Sequence, residues 1–181
     1  MMISAGPARA AACIDRYVDV DGVLDFVFCE GLPDHSLATH HAAARLGLEE
    51  ALRRAQHPRV VPAGYPSASQ PVTWAEFLPP FRHAVLEPPY NLGVAQGGLS
   101  ASEKDALFVE LCAALLPKGS DSVVVAHDTS PCTPSCTNRR KRSSCACGYF
   151  DAGSEWWGTF FWTVSHPDAP HMLVILGSAT D

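Results

Sequence analysis

Apolar and polar positions follow a helical period through much of the first two thirds of the chain and a strand period in the last third. Between Ser36 and Gln56, Leu37, His41, Ala44, Leu48, Leu52 and Ala55 recur at steps of three and four. That spacing lines one face of a long helix, with Arg45, Glu49, Glu50, Arg53 and Arg54 mostly off the stripe. Asp34 and Ser36 offer N-caps, Pro58 helps to end the helix, and Gly47 inside it costs about 1 kcal/mol relative to alanine. Thr73-Trp74-Ala75-Glu76 and Ser100-Ala101-Ser102-Glu103 are capping boxes. The first opens a short helix that Pro79-Pro80 breaks, with a further helical turn from Pro80 to Leu86. The second opens a helix carrying Leu107, Leu111, Ala114 and Leu115 on one face and stopping before Pro117 and Gly119. The proline- and glycine-rich stretches 58–72 and 88–98 read as loops.

The strand period predicts a sheet. Tyr17 to Phe28 reads as a β-hairpin, because Val18 and Val20 alternate with Asp19 and Asp21, and Asp21-Gly22 suits a type I′ turn. In its second arm Leu24, Phe26 and Phe28 share one face, and Val23, Asp25 and Val27 the other. Ser122 to His127 is a buried strand, Glu155 to Val164 a second, and Met172 to Leu176 a third, reached through the turn Ser165-His166-Pro167-Asp168. The second places Trp156, Gly158, Phe160, Trp162 and Val164 on one face. Its other face carries Trp157 and Phe161 between Glu155, Thr159 and Thr163. A strand apolar on both faces belongs in the middle of a sheet covered on both sides. The expectation is one α+β domain over residues 1–181. It comprises an antiparallel sheet, made of the N-terminal hairpin and a C-terminal three-strand meander, packed with two main helices.

Composition adds bounds. At 181 residues and 47% apolar the chain suits a single core, with no need for disulfide staples. A charged fraction of 18% is too low for a disordered chain, and no run approaches the ~20 apolar residues of a membrane span. The start, interrupted by Gly6, Pro7 and Arg9, does not form the apolar core of a secretory signal. With 7 cysteines, an odd number, the expected setting is the cytoplasm, where thiols stay reduced. Cys13, Cys29 and Cys112 read as small core residues.

The chemistry most visible in the sequence is an insertion at 129–154. It contains Cys132 and Cys136, then Arg139-Arg140-Lys141-Arg142, then Cys145 and Cys147. Four thiolates are a favoured ligand set for zinc, so folding the two pairs together would make a metal site, with His127 able to replace one ligand. A reduced, inert loop and a disulfide-bonded loop are the other readings. The basic run holds four of the 13 Lys+Arg, leaving nine basic residues against 19 acidic on the rest of a chain of net charge −6. It could grip phosphates or an acidic partner, and Ser143 and Ser144 beside it are placed for phosphorylation to cancel that charge.

Asp19-Val20-Asp21-Gly22-Val23-Leu24 resembles the first motif of the haloacid dehalogenase-like phosphatases, D-x-D-G-x-L at a strand end. The resemblance covers six residues. It implies Asp19 as a nucleophile toward phosphorus, Asp21 as acid/base and a bridging magnesium. Among eight histidines, His127 next to Asp128 is the best candidate general base. Trp157 and Phe161 would form an aromatic patch for a protein partner if no helix covers them. No complete catalytic motif is present, which makes a non-enzymatic protein-interaction domain, such as an acidic inhibitor or immunity-type protein, the leading expectation. A small metal-dependent hydrolase, phosphatase-like through Asp19 and Asp21 or zinc-assisted near His127, is the alternative. A zinc-ordered loop touching nucleic acid through Arg139–Arg142 is the third. A membrane partner is not expected.

Overall fold

A computed structural model describes residues 1–56, 60–88, 92–93, 98–117, 121–130, 145–150 and 157–177. The chain runs β1 (Met2–Ser4), α1 (Ala8–Asp19), β2 (Leu24–Glu30), α2 (Leu37–Arg54), β3 (Ser69–Val72), α3 (Trp74–Leu86) and α4 (Ala101–Leu115). It continues through β4 (Val123–His127), a 3-10 turn (Ala146–Phe150), β5 (Phe160–Ser165) and β6 (His171–Gly177). The strands form one antiparallel sheet in the order β1-β2-β6-β5-β4-β3. This is an α+β fold, and β4, β5 and β6 form the expected meander.

Strand alternation divides the core in two. Leu24, Phe26 and Phe28 of β2, Phe160, Trp162 and Val164 of β5, and Leu173 and Ile175 of β6 pack under α1, α3 and α4. Val27 and Cys29, Phe161, and Met172, Val174 and Leu176 pack under α2 and the 3-10 turn. The central strand β5 is therefore covered on both sides, as its two apolar faces require. Edge strand β3 accommodates Pro71, whose missing N–H would disrupt an interior ladder.

Several local expectations are corrected. The first arm of the N-terminal hairpin is instead the helix α1, whose buried residues Ala10, Cys13 and Tyr17 keep a helical step. Asp21-Gly22 ends that helix rather than turning a hairpin. Asp21 has φ 66°, its N–H donates to Val18 C=O at 3.0 Å, and Gly22 N–H donates to Tyr17 C=O at 2.9 Å. That pair of bonds is the Schellman termination, which demands the same left-handed residue as a type I′ turn. Pro79 and Pro80 do not break α3. They sit inside it, while Phe77 and Phe81 stack at 5.1 Å on its buried side and meet the edge of Trp162. Four helices, not two, cover the sheet among the described residues. The strand expected over Glu155–Val164 begins only at Phe160, so Trp157 packs edge-on to Phe160 at 4.9 Å under the three-helix layer. Phe161 lies beneath α2, so the two rings belong to opposite cores and share no exposed patch.

Candidate binding groove and a buried histidine seam

Two features stand out, one apolar and open, the other polar and closed. The first lies on the outer side of α3 and α4. Both helices begin at the capping boxes read in the sequence, in which the Thr73 and Ser100 hydroxyls accept from the N–H groups of Glu76 and Glu103, and the N–H groups of Thr73 and Ser100 donate to the Glu76 and Glu103 carboxylates in return. Trp74, at the start of α3, shares a cleft with Leu116, just past the end of α4. Arg82 pairs with Asp105 near the opposite end, so the helices run antiparallel. Between these ends Trp74, Leu78, Phe108, Val109, Cys112 and Leu116 line an open cleft of about 570 Å³. Leu78 is 38% exposed and Val109 66% exposed, so large apolar side chains stand in water along its lips. Arg82 also lies over the Phe108 ring at 5.7 Å. Burial pushes the Cys112 thiol up to about 11, with Cys13 nearby adding to the effect. The groove therefore presents a neutral thiol, not a nucleophile.

The second feature is a hydrogen-bonded seam between α2 and strands β3, β4 and β5. His41 Nδ1 lies 3.2 Å from Ser69 Oγ, which lies 2.8 Å from His127 Nδ1. His127 Nε2 lies 2.9 Å from Thr163 Oγ1, which lies 2.6 Å from His40 Nδ1, and His40 Nε2 lies 3.0 Å from Ser165 Oγ. His40, His127, Thr163 and Ser165 are all buried. Hydroxyls alternate with imidazoles, so every link is satisfied when both buried rings are neutral and all the protons are handed in one direction. Burial holds His40 down at about 4, helped by His35, and His127 at about 3, helped by His40 and His41. Such rings are poor proton acceptors at neutral pH.

The residues expected to carry chemistry are dispersed. Asp19 is the last residue of a helix and Asp21 sits in the following turn, not at a strand end as the phosphatase-like motif requires. Asp128 does not pair with His127. Its carboxylate accepts from Ser67 Oγ and from Ser130 N–H, and these bonds outweigh the upward pull of burial and hold it below its usual value. Cys145 is a free, buried thiol in the α2 core. Cys132, Cys136, Arg139, Arg140, Lys141 and Arg142 lie outside the described residues, as does the side chain of Cys147. Among the described residues no group of three or more His, Cys, Asp or Glu side chains could hold a metal ion. The stem of the insertion is anchored on both sides. Asp128 N–H donates to Ala68 C=O at 2.9 Å, Ala146 N–H to Val60 C=O at 3.1 Å, and Tyr149 Oη to Asp25 at 2.5 Å.

The groove was not read from the sequence, although its signal was present. Val109, Cys112, Ala113 and Leu116 continue the apolar character of α4 past the stripe of Leu107, Leu111 and Leu115. Comparison with family models, curated proteins and solved structures returns no match. No helix among the described residues is long and apolar enough to cross a membrane.

Proposed function

We propose that this is a non-enzymatic protein-interaction domain of the cytoplasm that binds its partner through the groove between α3 and α4. The observation that carries the reading is the open apolar cleft with Leu78 and Val109 exposed on its lips. Exposed apolar side chains that line a concave surface together differ from the scattered ones every protein shows, and mark a contact surface. The histidine seam favours the same reading by default of chemistry. Ser69 and His127 are within hydrogen-bond reach, but the imidazole is neutral, sealed under α2 and held by a hydroxyl, not a carboxylate.

The test is capture with the wild-type chain and with Val109→Glu, followed by reconstitution of the binary complex from purified proteins. A complex that protects the amides of α3 and α4 from hydrogen exchange, and is lost in the variant, is the expected result. A partner that binds both chains equally, or protection confined to other elements, overturns the reading.

A further inference from the structure

We infer that the partner of this groove presents an amphipathic helix with apolar anchors on one face and basic residues flanking them. The inference rests on reading the groove as a docking surface and adds the chemistry of what docks.

Three observations point to that occupant. The first is shape. Two antiparallel helices flank the trough, and from Phe108 to Leu116 its lining runs eight residues along α4 and its cap, roughly 12 Å of helix axis. That length accepts two turns of a third helix, with anchors at i, i+4 and i+7. The second is the state of the sheet edges. A partner that entered as an extended strand would need a free edge, yet β1 has only three residues and β3 carries Pro71. The third is charge complementarity. The only Lys or Arg residues on α3 and α4 are Arg82 and Lys104, against Glu76, Glu103, Asp105 and Glu110, with Glu87 as the cap of α3. Arg82 already pairs with Asp105, and Glu110 with Arg16 of α1, so the carboxylates left on the two helices for a partner's cations are chiefly Glu76 and Glu103. The capping bonds hold Glu76 and Glu103 below their usual values, so both are anionic at neutral pH. Outside the 139–142 run the chain carries nine basic residues against 19 acidic, a field that steers a basic partner in. A small apolar ligand is a poorer match, because beyond the Trp74 indole N–H and a neutral thiol the named lining residues supply no polar side chain to fix its orientation.

The experiment is selection from a displayed random 16-residue peptide library on the wild-type chain, with Val109→Glu and Leu78→Glu as counter-selection targets. Unchanged circular dichroism and melting of both variants certify their fold. The expected winners bind the wild type alone, carry apolar residues at i, i+4 and i+7, and carry Lys or Arg beside them. A synthetic consensus peptide should perturb Trp74 fluorescence, a response absent in Trp74→Phe. Reversing its Lys and Arg to Glu should weaken binding at least tenfold at low ionic strength. Winners with neutral or acidic flanks, an extended binding conformation, or an affinity indifferent to charge reversal overturn the helix proposal and leave the groove as a docking surface. Winners indifferent to both groove variants, or no winners at all, overturn the docking surface with it.

Discussion

At the scale of single residues, the buried imidazoles make the strongest statement about this protein. His40 and His127 are neutral when folded, at about 4 and about 3, while a histidine in the unfolded chain titrates near 6.5. The unfolded chain therefore binds protons first as pH falls. The full stability is present above pH 6.5 and declines as pH drops toward 4, by an amount on the order of a few kcal/mol. Urea unfolding midpoints measured from pH 7.5 to 4.5 should fall steeply, and His127→Gln should flatten the curve. A midpoint independent of pH would contradict the buried, neutral assignment. Thr163 is the shared link, since its hydroxyl meets both rings. Thr163→Val keeps the shape but strands two imidazole nitrogens, at about 1–3 kcal/mol for each group left unpaired. A cost below 0.5 kcal/mol in chemical denaturation would show that the seam is not closed as described. His127 was visible in the sequence as a candidate. Its partners were not, because Ser69, Thr163 and His40 come from three other elements.

At the scale of elements, local sequence rules hold where a helix faces water and fail where it faces the sheet. Ser100 caps α4 and exchanges bonds with Glu103 on the surface. Ser100→Ala should therefore cost about 1 kcal/mol, read as a lowered melting temperature without change of fold. Gly47 shows the opposite case. Propensity alone predicts that Gly47→Ala strengthens α2 by about 1 kcal/mol. In the structure a Cβ at this position would lie 2.6 Å from Cγ1 of Val174 on β6. Close packing of α2 on the sheet needs the glycine, so Gly47→Ala should destabilise, and Gly47→Ala combined with Val174→Ala should recover part of the loss. A stabilised single variant would refute the contact. The prolines of α3 teach the same lesson. Their local cost is outweighed by the aromatic stack of Phe77, Phe81 and Trp162, which the linear sequence does not place together.

At the scale of the whole molecule, the sheet is covered on both faces, and among the exposed large apolar side chains Leu78 and Val109 share one concave surface while Val60, Leu37 and Val18 stand apart from it. Val109 is 66% exposed, so Val109→Glu should leave stability within about 0.5 kcal/mol while abolishing partner binding. Loss of fold in this variant would show that the groove belongs to the core. Because the chain is acidic, association with a basic partner should slow markedly between low and physiological salt, with dissociation changing less. Stopped-flow rates across ionic strength separate the two. The zinc reading of the 129–154 insertion also belongs at this scale. One zinc per purified chain, lost in Cys132→Ser/Cys145→Ser, is its expected outcome. Freely titrating thiols and no metal would dismiss it.

The amino-acid order alone determined the α+β class, the two inward faces of β2 and β5, the helix α2 and both capping boxes. Each of these is written in a local period or in a motif of four residues. It left Asp21-Gly22 ambiguous, because a left-handed residue followed by glycine serves a hairpin and a helix end equally well. Only tertiary contact decided for the helix, by burying Ala10, Cys13 and Tyr17 against the sheet. The histidine seam and the α3–α4 groove belong to the same class. Both are made by side chains brought together from separate elements, and no local pattern records which elements will meet.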